Sequence, residues 1–271
     1  MKRGLLSWAG VLALTVAAGT AGAQGFDHSA WDRVLKQHVN EAGFVDYAAL
    51  KASPAELDRY VAQIAARSPV SHAQDFPSRE SQLAYWINVY NALTIHCVVQ
   101  AWPTKSVRDI GFLFGFFRRK QFTVGGREMT LDNIEHDTLR PIFREPRIHF
   151  AINCASVSCP RLQREAYTAD NVDRLLDEAA HSFVNEKRNF QIDAQRNRVT
   201  VAKIFDWFGG DFRDFARDKK LSGTGHPILD YIRPYLNDAN RAALARLRNP
   251  RVGFFDYDWS VNDVKATVPR D

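Results

Sequence analysis

The stretch Gln82 to Ala101 reads as one long helix that is apolar almost all the way round, and such a helix has to lie inside the molecule. On a 3.6-residue wheel Tyr85, Asn88, Ala92 and His96 fall on one narrow face. Trp86, Ile87, Val89, Tyr90, Leu93, Ile95, Val98 and Val99 cover most of the rest. The remainder of the chain must therefore be arranged around it. Its buried polar groups need partners, so Asn88, Asn91 and His96 either brace neighbouring backbone or reach into a cleft.

The segments before it are also helical. Trp31, Val34, Leu35 and Val39 recur at helical spacing, and Pro54 opens a second helix whose face includes Leu57, Val61 and Ile64. After Pro103 the character changes. Residues 120–124 and 127–130 flank Gly125-Gly126 as a hairpin, and a helix runs from Leu131 to about Leu139, ending near Pro141. Thr168 caps an amphipathic helix with Val172, Leu175, Leu176, Ala179 and Phe183 on its buried stripe. A second hairpin spans residues 190–193 and 198–201. Helices then open at Pro227 and Asn237, and a last strand covers residues 251–255. This order predicts an α+β fold with a helical N-terminal part and a small, mostly antiparallel sheet with packed helices, in a single domain.

Residues 1–23 have the form of an export signal: Lys2 and Arg3, an apolar stretch from Leu5 to Ala18, and Ala21-Gly22-Ala23 before Gln24. Residues 24–271 then form the globular domain, expected in the periplasm or secreted. No later stretch is long enough to span a membrane. Without residues 1–23 the chain keeps 34 of its 36 Lys and Arg against 31 Asp and Glu, a net charge of about +3. That near balance, with no nucleic-acid module pattern, argues against a nucleic-acid partner and leaves a small molecule, a peptide or a cell-envelope component. The apolar stretch Ile110 to Lys120, with its basic end, reads as a loop packed on its own aromatics rather than as a membrane contact.

The chemistry concentrates in Arg147-Ile-His-Phe-Ala-Ile-Asn-Cys-Ala-Ser-Val-Ser-Cys-Pro160. Ile148, Phe150 and Ile152 alternate with His149, Ala151 and Asn153, which predicts a half-buried strand with His149 and Asn153 on one face. Three arrangements fit these residue types. In a thiol hydrolase or acyl transferase acting on an amide or ester, Cys154 or Cys159 is the nucleophile and His149, His136 or His96 the base. Asn153, Asn88, Asn91 or Glu135 then orients the imidazole. Along an extended strand His149 lies roughly 17 Å from Cys154, so a turn has to fold the cysteine back or another histidine has to serve. A metal site would draw on His96, His136, His149 and a cysteine, but the close-paired ligand spacings of zinc sites are missing, and no metal is implied. No nucleotide fingerprint occurs, so no cofactor is implied. In the third arrangement Cys154 and Cys159 form a structural disulfide, suited to an oxidising compartment, in a non-catalytic binding or scaffolding module. Cys97, within the apolar helix, packs as a small hydrophobe.

Several strings together resemble the domain of unknown function 547 family, DUF547: residues 85–96, 124–136, 147–160, 165–168, 203–212 and 255–259. The resemblance spans nearly all of the chain after residue 23. It brings bacterial exported proteins and plant relatives with an added leucine-zipper region, and no established reaction or catalytic residues.

Overall fold

A computed structural model describes residues 25–111 and 115–266. The export signal read at residues 1–23 lies outside the described residues, as does part of the aromatic loop after Ile110.

Four helices open the fold: α1 (Ser29–His38), α2 (Tyr47–Ala52), α3 (Ala55–Ala66) and α4 (Arg79–Ala101). The α4 helix starts three residues earlier than its apolar pattern implied. Ser78 and Ser81 cap it reciprocally, each hydroxyl accepting the other residue's backbone N–H at 3.0–3.1 Å. From Leu83 to Ile95 every residue of α4 is buried, as an all-round apolar helix requires. The short α2 was not anticipated; Asp46 caps it by accepting the Ala49 N–H at 2.9 Å.

The two hairpins form where expected, β1 (Phe122–Val124) with β2 (Arg127–Met129) and β3 (Phe190–Asp193) with β4 (Arg198–Val201), both antiparallel. The last strand, β5 (Arg251–Phe254), joins β4 in parallel. A short α5 (Gly115–Arg118) precedes β1. After α6 (Val172–Asn185) and the second hairpin come α7 (Ile204–Trp207), α8 (Gly209–Asp218), α9 (Pro227–Ile232) and α10 (Asp238–Ala245). The architecture is α+β with its helices leading.

Two segments differ from the sequence reading. The helix expected to end near Pro141 is an eleven-residue π-helix, Asn133–Phe143, that carries Pro141 inside it. Its wider i→i+5 ladder offers the chain a register other than the α one that proline interrupts. The strand expected around Arg147–Asn153 is instead a 3-10 turn, Pro146–Phe150, followed by an irregular loop. Pro146 favours a first helical turn, and the Glu145 carboxylate accepts the Arg147 N–H at 3.1 Å, so the local cap wins over extension. Every residue from Ile148 to Asn153 is buried, so alternation there marked no exposed face.

Buried side chains form two clusters. The first gathers α1–α4, the β1–β2 hairpin, the π-helix and the start of α6; the second gathers the end of α6, β3, β4 and α7–α10. The 3-10 turn joins them, with Ile148 in the first and Phe150 in the second. Beyond β5 the chain returns to the first cluster, where Val261 bridges Ser156, Asp263 bridges Val45, and Tyr47 donates to Asn262 Oδ1 at 2.7 Å.

Candidate functional site

A cavity of about 450 Å³ opens where the two clusters meet. Its walls come from α4 (Tyr90), the start of the π-helix (Asp132, Glu135, His136), the 3-10 turn (His149), the cysteine loop (Cys154, Cys159), α7 (Ile204, Trp207) and the returning segment (Tyr257, Trp259). That size suits a small ligand or a short portion of a larger one.

The π-helix presents its polar face because Thr130 and Asn133 fix its start. The Thr130 hydroxyl accepts the Asn133 N–H, and Asn133 Oδ1 accepts the Thr130 N–H, both at 3.0 Å. One turn on, Glu135 is buried against Tyr90, and burial pushes its carboxyl up to about 7. His136 accepts Arg140 Nη1 on Nδ1 at 2.7 Å, which leaves its Nε2 proton facing Asp132 at 3.6 Å.

His149 is held from two sides. Its Nε2 donates to Asp211 Oδ2 at 2.8 Å, and its ring stacks on Phe208 with centroids 4.1 Å apart. The Arg140 guanidinium lies over the same Phe208 ring and binds both oxygens of Asp211, at 2.7 and 2.9 Å. Although burial alone raises the Asp211 carboxyl, hydrogen bonds from His149 and Arg140 hold it far below the usual range. Asp211 is therefore an ionised acceptor, which places the His149 proton on Nε2. Burial lowers the imidazole's own pKa, so at neutral pH the ring is uncharged. Its Nδ1 lone pair is buried and has no protein partner among the described residues.

Backbone locks shape the cysteine loop. Asn91 donates to the Ala151 carbonyl at 3.0 Å and accepts the Asn153 N–H at 2.7 Å. Asn153 in turn donates to the Pro160 carbonyl at 2.6 Å and accepts the Ala155 N–H at 2.7 Å, closing the loop while Ala155 takes a left-handed conformation at φ 62°. Within it Cys154 and Cys159 form a disulfide, their α-carbons 6.2 Å apart. Around the sulfurs stand Ser156 Oγ, 2.9 Å from Cys154 Sγ, and the Tyr257 hydroxyl, 3.1 Å from Cys154 Sγ and 3.4 Å from Cys159 Sγ.

Of the residues singled out from sequence, Glu135, His136, His149, Cys154 and Cys159 line this cavity, and Asn88, His96 and Asn153 do not. Asn88 has no exposed surface and clamps Tyr167, donating to its carbonyl at 2.7 Å and accepting its N–H at 3.1 Å. His96 sits 3.4 Å from Asp58 and beside Gln100. Asn153 and His149 do not share a face, because the turn between them is not a strand. Sequence reading missed Asp211, Arg140, Tyr90, Ser156 and Tyr257. For Arg140 a signal existed, four residues after His136 on a helix; for Asp211, 62 residues from His149, none did. Among the described residues, no group of three or more His, Cys, Asp or Glu is placed to hold a metal ion, and no helix is long and apolar enough to cross a membrane.

Fold and site together define an α+β protein whose cavity sets a carboxylate-held histidine and a short-loop cysteine bridge in one wall. Residues 74–184 match the model of a protein family of unknown function, DUF547, and over that span the chain is a DUF547 family domain. The match is narrower than the strings that carry the resemblance. It takes in α4, the π-helix, His149 and both cysteines, while Asp211, Trp207 and Tyr257 lie beyond it. Neither a curated protein nor a solved structure matches the chain.

Proposed function

We propose that the cavity is the active site of a cysteine-dependent hydrolase or acyl transferase acting on an amide or ester, and that the bridged form is its resting state. The reading rests on one observation: the His149 imidazole is oriented by Asp211 and keeps its Nδ1 lone pair unpartnered in the wall that also carries Cys154. A buried, unpaired acceptor costs about 1–3 kcal/mol. A general base is a role that uses such an atom.

Once a dithiol has reduced the bridge, Cys154, the less buried of the two, is the nucleophile. Its proton passes to His149 Nδ1, the thiolate attacks the carbonyl carbon, and His149 returns the proton to the leaving amine or alcohol. Water or an acceptor nucleophile then releases the acyl group from the thioester. Asp211 acts by fixing the tautomer and Arg140 by fixing Asp211. The reading includes export as a single domain to the periplasm or beyond, which the cysteine bridge supports. The substrate is a small molecule, peptide or envelope component.

Alkylation of reduced, folded protein by iodoacetamide at neutral pH tests it. Cys154 should react first, and His149→Ala and Asp211→Asn should each slow it about tenfold or more, since both weaken thiolate formation. Equal rates in all three proteins would sink the thiol mechanism. The bridge itself favours the second reading, a non-catalytic binding module with a structural disulfide, and that result would leave it standing.

A further inference from the structure

We infer that the Cys154–Cys159 bridge is a centre for thiol–disulfide exchange, attacked by a low-molecular-weight thiol at Cys154 with Cys159 as the leaving thiolate. This rests on the cavity admitting a small reactant, as the reading above does, but on no acyl chemistry.

The two sulfurs are not equivalent. Both cysteines line the cavity, yet Cys159 is buried and Cys154 only half-buried, so an incoming thiolate meets Cys154 first. One directed backbone donor marks the other sulfur. The backbone N–H of Cys154 donates to Cys159 Sγ at 2.8 Å. The Ser156 hydroxyl donates to the Tyr257 oxygen at 2.9 Å, which releases the phenolic proton toward the sulfurs, 3.1 Å from Cys154 Sγ and 3.4 Å from Cys159 Sγ, so that it can serve either. Burial holds that phenol protonated, so it acts as a donor. Hydrogen bonds to a developing thiolate lower its pKa, and a lower-pKa thiol leaves faster.

The steps balance. The attacking thiolate forms a bond to Cys154 Sγ, the Cys154–Cys159 bond breaks, and its electron pair stays on Cys159. A second thiolate attacks the sulfur of the bound thiol, forming the small-molecule disulfide and releasing Cys154 as thiolate. Two thiols are oxidised by two electrons and the bridge is reduced; the two thiol protons go to solvent or to the new cysteine thiols.

The test exposes the folded, bridged protein to reduced glutathione without oxygen, followed by rapid quenching with N-ethylmaleimide and peptide mapping. Expected is glutathione on Cys154 and maleimide on Cys159. Tyr257→Phe should slow opening about tenfold, the factor that 1.36 kcal/mol of barrier represents. Should that variant fail to fold, Ser156→Ala reads the same donor chain and should slow opening too. Adducts mainly on Cys159, or a bridge that opens only when the protein is unfolded, would overturn the inference. Opening at Cys154 without histidine-dependent alkylation would keep the exchange centre and remove the hydrolase. The converse pattern would do the reverse.

Discussion

At the scale of single residues, Glu135 couples the cavity to stability. Its carboxyl rises from its ordinary 4.5 to about 7, chiefly through burial. Between those values the native state holds a proton that the unfolded chain has lost, so this group's stabilising contribution is full below 4.5 and disappears as pH climbs through 7. Glu135→Gln should therefore flatten the fall in melting temperature between pH 5 and 8 relative to the parent protein. His28 opposes it on the acid side: burial lowers its imidazole to about 4, so its contribution is lost as pH falls through that value. Comparing parent and variant at each pH cancels that part. Parallel melting curves for the two proteins across the range would show that Glu135 is not the titrating group.

Among the elements, α4 was the most legible in sequence, since a helix apolar on every side has only one place to go. Both hairpins were legible from their turns and alternating strands. Where two local signals competed, reading failed. Residues 148–153 alternate as a strand would, but Pro146 and the Glu145 cap turn the first three into a 3-10 helix and the rest is irregular. Pro141 read as a helix end, but the π-register absorbs it. The short α7 and α8 went unread, and with them Asp211, whose partner lies too far away in sequence for any periodic pattern to point to it. Half of the candidate site was visible as residue types; the pairing that orients His149 was not. On α4, Asn88 belongs to the frame. Asn88→Ala leaves the Tyr167 N–H and carbonyl both buried and unpaired and should cost about 2 kcal/mol or more in urea unfolding. A loss under about 0.5 kcal/mol would contradict the clamp. His96→Ala should leave Cys154 alkylation unchanged, since that ring lies by Asp58 and not in the cavity wall.

For the whole molecule, the two hydrophobic clusters share their connectors. The α6 helix contributes Val172, Leu175 and Leu176 to one and Ala179, Ala180, Phe183 and Val184 to the other, and the 3-10 turn divides its side chains between them. Neither cluster can lose its packing without exposing half of α6. The chain should accordingly unfold in a single step, with near- and far-ultraviolet circular dichroism sharing one midpoint. Two resolved transitions in a calorimetric scan would show that the clusters are independent units.

The π-helix has a consequence for which changes of chain length the protein can survive. Removing one residue between His136 and Arg140 would rotate everything after it around the helix axis. The Arg140 guanidinium would leave Asp211, and that carboxylate would lose two of its three hydrogen bonds. A deletion in the exposed turn between β3 and β4 would touch none of this. Insertions and deletions, more than substitutions, are the changes this helix forbids.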